Sequence, residues 1–337
     1  MKVYYTEAFK GHEVGAGHPE NPRRLDYALA GVRDADVVAI EPRLRDDVRE
    51  RVETAHRRDY VNYIEDLCNT GSLMELDGDT WISPGTCRAA YMAVSAVLDA
   101  LDSTEHVYIL ARPPGHHAGT SGRALTAPTQ GFCIFNTAAI GALYLEGVAV
   151  VDIDVHHGNG TQEILYDKDV LYISTHQDPL TIYPGTGFPD EVGRGRGEGY
   201  NVNVPMPPGL GDDGFKKAVD EIIMPILRQY GPRRIIVSLG WDAHKEDPLA
   251  DMGLSLNGYR HAIRSLLSLG VPVVFLLEGG YNYDVLREGS KVLVREVAGL
   301  GYAPPEEQTA SDHRVWNKFS ATLKEVKAIH SKYWRLD

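Results

Sequence analysis

Three runs in this sequence lack the polar alternation of a strand that faces water: VAVVDI at 148–153, RIIVSL at 234–239 and VPVVFLL at 271–277. Continuous β-branched runs of this kind are read as strands buried on both faces, which commits a chain to a parallel sheet with helices on either side. Strands are accordingly expected at Val148–Ile153, Ile235–Leu239 and Val273–Leu277. Shorter apolar runs add Lys2–Tyr5, Val37–Ile40, Val107–Ala111, Val170–Ser174 and Asn201–Val204. Between them lie segments with apolar residues at helical intervals: Pro22–Val32, Pro84–Leu101, Asn136–Leu145, Asp212–Gln229, Leu256–Leu269, Asp284–Ala298 and Asp312–Tyr333. The alternation predicts an α/β fold, a central, mostly parallel sheet flanked by helices in three layers. There is no repeat, low-complexity tract or linker, and APPEEQTAS reads as a loop before the last helix. Residues 1–337 are therefore read as a single domain.

In open α/β sheets, ligands bind beyond the carboxyl ends of the strands, and the unusual polar residues of this chain fall there. His116 and His117 follow the strand ending near Ala111, in RPPGHHAG. Asp152, Asp154 and His156 end VAVVDID. Asp242 follows RIIVSLG, and Tyr281 follows VVFLLEGG. An Asp at a strand end often only caps the next helix. Alternation along an extended chain, however, points Asp152, Asp154 and His156 to one side, where they repel unless a cation sits among them. Asp242 with Asp154 and His156 completes an Asp/His/Asp set, and three protein ligands with an open position is the catalytic form of a zinc site. Oxygen-rich ligation also suits iron(II) or manganese. The prolines of Arg-Pro-Pro-Gly fix the approach to the histidine pair, and histidine is the side chain that carries protons near neutral pH. Tyr281 reads either as an aromatic wall or as a phenol that donates to a developing oxyanion.

Composition narrows the partners. Hydrophobic residues make up 43% of the chain and charged residues 24%, as in ordinary soluble globular proteins. A net charge of −13 argues against a phosphate-backbone binder and favours cationic ligands. The three cysteines, Cys68, Cys87 and Cys133, are an odd, scattered set without CxxC, so no disulfide framework is expected. The N-terminus, MKVYYTEAFKGHE, has no apolar core of signal-peptide type, and no apolar run approaches the ~18 residues of a membrane span. The expectation is a cytoplasmic protein with no direct nucleic-acid or membrane contact. The oligomeric state is left open, a dimer included.

The ordered set RPPGHH, GFC, DIDVHHGNGTQ, YPGTG, GWDAHKEDP and LEGGYN resembles the zinc-dependent histone deacetylase superfamily, which includes acetylpolyamine amidohydrolases and bacterial and archaeal deacetylase-like proteins. The resemblance runs from HPENPRRL to about residue 300, and HHGNGTQ is similar to the class II and polyamine-deacetylase branch. It implies the arginase-like fold. It also implies zinc, or iron(II), on Asp154, His156 and Asp242, with His116 and His117 as the catalytic pair oriented by Asp152 and Asn159, and Tyr281 as the catalytic tyrosine. Phe132 and Tyr183 would wall a substrate tunnel, Gly131 would offer its carbonyl to the substrate amide, and Arg24 would stand near an internal acetate exit. Asp152, Asp154, His156, Ser174 and Thr175 match a structural potassium site, and Asp79, in DGDTWISP, matches a substrate-contacting rim loop.

What the resemblance implies is hydrolysis of acetyl-lysine side chains, with acetylpolyamines as the alternative substrates. Polyamine-selective members carry a glutamate near Leu249, and leucine offers an apolar rim instead. A binuclear arginase-like ureohydrolase is the remote alternative. It would need acids where Gly158, Gly240 and His244 stand. A non-catalytic acetyl-amine binding module would be expected to lack Tyr281 or one histidine of the pair, and all three are present. Thirteen residues, 118–130, separate HH from GFC, a longer connection than in familiar members, which is expected to add material at the tunnel mouth.

Overall fold

The computed structural model describes residues 1–336. Seven strands form the central sheet: β1 (Lys2–Tyr4), β2 (Val107–Ile109), β3 (Val148–Asp152), β4 (Leu171–Gln177), β5 (Asn201–Met206), β6 (Arg234–Leu239) and β7 (Val273–Leu277). Their order across the sheet is β1-β2-β7-β6-β3-β4-β5, and every pair is parallel. The continuous apolar runs become its centre: every residue of β3 and β7 is buried.

The helices are α1 (Arg23–Asp34), α2 (Val48–Val52), α3 (Arg58–Asn69), α4 (Thr86–Asp102), α5 (Thr137–Tyr144), α6 (Asn159–Leu165), α7 (Asp212–Ala218), α8 (Met224–Tyr230), α9 (Leu256–Leu267), α10 (Tyr283–Val297) and α11 (His313–His330). The Ala-rich α4 packs on β2 and β7, and α5 on β3 and β6, because small side chains allow helix and sheet to approach closely. α1, α10, α9 and α7 pack as a second row, and α11 covers the edge strand β5. No helix among the described residues is long and apolar enough to cross a membrane.

The sheet has one reversal of direction. The chain passes from β3 outward to β4 and β5, then returns to lay β6 on the other side of β3 and continues to β7. Register pairs Asp152 with Ser238 across that boundary. Loops leaving β3 and β6 part there, opening a crevice at their carboxyl ends, where α/β sheets bind ligands.

Three expectations are corrected. Val37–Ile40 is not a strand. Only Ile40 bridges to Tyr4, and Val38 is 83% exposed, so β propensity alone did not extend the sheet edge. The helix expected over Asp212–Gln229 contains a π-helical stretch, Val219–Ile223, just before Pro225. A proline lacks the N–H and crowds the carbonyl four residues back, and the wider turn accommodates it. Finally, Cys68 and Cys87, 19 residues apart, form a disulfide between α3 and α4, while Cys133 is free and buried. The packing of those two helices, which cysteine spacing does not report, brings the pair together.

Candidate active site

The crevice holds a cavity of about 340 Å³ lined by residues that include His116, His117, Gly131, Phe132, His156, Tyr183, Leu249, Asp79 and Tyr281. That size suits a small ligand site. His156 of that lining forms the floor with Asp154 and Asp242, which stand against it: all three are buried, with donor atoms within 4.8 Å of one another. Asp154 Oδ1 accepts the His156 backbone N–H at 2.9 Å, and Oδ2 accepts the Gly279 N–H at 2.8 Å. Asp242 Oδ1 accepts the Val155 N–H at 3.1 Å. His156 turns Nδ1 toward both carboxylates, 3.1 Å from Asp154 Oδ1 and 3.3 Å from Asp242 Oδ2. One ring nitrogen cannot serve both, and Asp242 Oδ2 is buried without a hydrogen-bond partner. An orphaned carboxylate oxygen beside a second carboxylate and an imidazole nitrogen is the donor set of a divalent cation, so these residues fit a metal. Gly279 keeps the cradle open: a Cβ there would stand 1.9 Å from Asp242 Oδ2.

The histidine pair is held from behind. His116 Nδ1–H donates to Asp152 Oδ2 at 3.0 Å, and His117 Nδ1–H donates to Asn159 Oδ1 at 2.8 Å. Both hydrogen bonds leave Nε2 for the cavity side. The two rings, 4.0 Å apart, are driven in opposite directions. Burial disfavours charge on His116, but the Asp152 and Asp154 carboxylates outweigh it and push the pKa up to about 10. Burial, reinforced by His116 and His156, holds His117 well below the usual histidine value. The two environments thus favour the charged form of His116 and the neutral form of His117.

Tyr281 also lines the cavity, 6.0 Å from the Phe132 ring. Its backbone N–H donates to Asp247 Oδ2 at 2.7 Å, and the ring lies 4.9 Å from the Arg24 guanidinium. Burial raises the phenol's pKa well above 10, keeping it a proton donor. Asn282 caps α10 by accepting from Asp284 and Val285, which fixes where Tyr281 leaves the sheet. Phe132 and Tyr183 form the walls. Between them Gly131 has φ +56°, and a Cβ would meet the His117 ring at 2.6 Å.

The expected residues therefore converge, with refinements. Asp152 does not join the floor. β3 ends at Asp152, so strand alternation does not extend through His156, and the Asp152 carboxylate serves His116 and the Asp154 N–H. Arg24 is fully buried but is not part of the cavity lining; it donates to the carbonyls of Gly280 and Glu278. Asp152 and Ser174 are register partners, with Thr175 beside them, while Ser174 Oγ lies 2.8 Å from His176 Nδ1. Leu249 and Asp79 line the mouth, where the Asp79 carboxylate accepts from the Thr80 and Thr129 hydroxyls. His244 is buried, 3.2 Å from Glu306.

Sequence reading passed over four residues. Asp247 holds the rim and the tyrosine together, its Oδ1 accepting from Leu249 N–H at 3.0 Å. Glu278 accepts from the Gly115 and His116 N–H groups, and Glu20 takes both Arg24 and Arg112. Cys133 accepts from the His117 N–H. Asp247, Glu278 and Cys133 stand inside motifs singled out for other residues, and that proximity was the available signal.

A histone deacetylase domain profile matches residues 18–297. A probable deacetylase of Archaeoglobus fulgidus is 35% identical, over 99% of this chain and 98% of its own. The crystal structure of the HDA15 HD domain superposes with a TM-score of 0.87 at 32% identity, covering 99% of this chain and 97% of the other. That of an acetylpolyamine aminohydrolase from Burkholderia pseudomallei gives 0.78 at 28% identity, covering 90% and 100%.

The floor geometry makes a direct prediction. Loaded with zinc and freed of excess metal, the protein should retain bound zinc on elemental analysis, and Asp242→Ala should lose it. Full occupancy in that variant would remove Asp242 from the ligand set.

Proposed function

The chain belongs to the histone deacetylase family, and on that premise we propose that it is a metal-dependent amidohydrolase that removes acetyl groups from acetyl-lysine side chains. The observation that carries the reading is the cavity floor: an unpaired Asp242 oxygen beside Asp154 and His156, with the histidine pair and Tyr281 lining the same cavity. The three floor residues would hold zinc or iron(II), and potassium would sit among Asp152, Asp154, His156, Ser174 and Thr175. A bound divalent ion supplies Lewis acidity to the carbonyl and lowers the pKa of water.

The chain's own groups do the rest. Phe132 and Tyr183 admit a slender apolar stem and exclude solvent, and the Gly131 carbonyl accepts from the acetamide N–H. Tyr281 OH donates to the oxygen as charge develops on it. His117 Nε2 takes the proton from the attacking water and delivers it to the amine nitrogen as the C–N bond breaks. His116, carrying positive charge, stabilises the tetrahedral anion without exchanging a proton. The products are acetate and a free amine. Glycine at 158 and 240 leaves no second pair of acids for a binuclear ureohydrolase site.

A second reading, acetylpolyamine hydrolysis, is favoured by Asp79, a carboxylate in the cavity wall. Leu249 stands against it, because an apolar side chain cannot pair with the distal ammonium of a polyamine.

Two measurements follow. Tyr281→Phe should keep its metal and its substrate affinity and lose about 10²–10³ in turnover, the usual cost of an oxyanion donor. Near-normal turnover would assign the oxyanion to another group. At matched ionic strength, kcat/KM for an acetyl-lysine peptide should exceed that for N8-acetylspermidine and acetylputrescine. A polyamine preference of ~10-fold, about 1.4 kcal/mol in the transition state, would reverse the substrate assignment.

A further inference from the structure

The segment 118–130 does more than border the cavity. It starts as a small hairpin, Ala118–Gly119 paired with Gly122–Arg123, laid against α6. Gly160, the second residue of α6, permits that approach: a Cβ there would stand 2.3 Å from the Ala118 carbonyl oxygen. α6 begins at Asn159, and Glu163 follows one turn later on the same face. Glu163 is the fastening. Its Oε1 accepts the Thr120 N–H at 2.9 Å and the Thr120 hydroxyl at 2.8 Å, and its Oε2 accepts the Leu125 N–H at 2.9 Å. Leu125 has φ +51°, a conformation that costs a branched residue energy and needs such support. Between the two fastened residues lies Ala124, whose carbonyl accepts from Asn159 Nδ2 at 3.1 Å.

That last contact fixes the orientation of an amide. A carbonyl accepts only from the NH₂ end, so Asn159 must turn its oxygen to His117. An oxygen there requires the proton on His117 Nδ1 and leaves Nε2 as the lone pair facing the cavity. A reversed amide would offer N–H to Nδ1, put the proton on Nε2 and leave no base. Asn159 and Ala124 are both 0% exposed, so bulk water does not set the choice. An aspartate at 159 would not need the restraint, because both its oxygens accept.

We propose that Glu163 is a positioning residue which, by fastening the 118–130 segment so that the Ala124 carbonyl holds the Asn159 amide, sets the tautomer of His117. The proposal rests on the functional reading above for its catalytic consequence, but the tautomer itself can be read without turnover. Farther along, the Thr129 carbonyl accepts from Tyr183 OH at 2.9 Å, so the same segment runs from the base's partner to the tunnel wall.

The test is a double-mutant cycle on the full, zinc-loaded chain. In histidine-¹⁵N-labelled protein, with the His117 signals assigned by their loss in His117→Ala, the wild type should show Nδ1–H and Glu163→Ala should gain the Nε2–H form. Turnover of an acetyl-lysine peptide should fall about tenfold in Glu163→Ala with KM within about twofold, part of the 10²–10⁴ that a general base supplies. In an Asn159→Asp background, adding Glu163→Ala should change neither tautomer nor kcat by more than about twofold, a rescue that loosened packing would not give. If Glu163→Ala does not fold, Glu163→Gln, which keeps one acceptor oxygen, should move both readings in the same direction by less. An unchanged tautomer in the Glu163 variants, or an equal loss of kcat in both backgrounds, overturns the proposal. A wild type that cleaves no acetylated amine overturns the functional reading, and the tautomer measurement then decides this one.

Discussion

Two carboxylates buried against a single imidazole nitrogen are the constraint on which the rest of this structure turns. Burying an ion without compensation costs several kcal/mol even after relaxation, and Asp154 and Asp242 are both at the floor with almost no solvent exposure. Backbone N–H groups of Val155, His156 and Gly279 answer three of the four oxygens, and the fourth, Asp242 Oδ2, has no hydrogen-bond partner. That arrangement is available only where the sheet reverses direction, because loops from β3 and β6 must part and yet remain neighbours. Among the described residues, the sheet's topological switch and the one buried carboxylate oxygen without a partner coincide.

From that concentration of negative charge the division of labour in the histidine pair follows. His116, directly against Asp152 and near Asp154, is drawn to its cationic form. His117, backed by the neutral Asn159 and no acid, is held uncharged by burial and by the charges of His116 and His156. Adjacent residues in one turn thus differ because of what stands behind each ring. The same economy appears at Asp247, one carboxylate that ties Tyr281 and Leu249 to the loop carrying Asp242.

Much of this was legible in the sequence where one local property decides the outcome. β3, β6 and β7 fall within a residue of the strands expected from the continuous apolar runs, since burial on both faces leaves no alternation to misread. The floor residues, the histidine pair and Tyr281 were legible because strand ends gather them. What was not legible depends on distant partners. α3 has apolar Tyr60, Val61, Ile64 and Leu67 at helical spacing, but its many polar residues hid that stripe, and with it the packing that joins Cys68 to Cys87. Asp247 and Glu278 resemble ordinary loop acids until the backbone groups they serve, far away in the chain, are known. Alternation holds only to Asp152, where the strand stops, so it does not report the neighbours of that carboxylate.

On the proposed reading, one cation held at Asp154, His156 and Asp242 turns this crevice into a hydrolytic site. This is tested most directly by titrating metal-stripped protein with zinc while following acetate release from an acetyl-lysine peptide. The stripped protein should be inactive, and the rate should rise linearly to a break at one ion per chain. A break at two ions, or acetate release without metal, would contradict it.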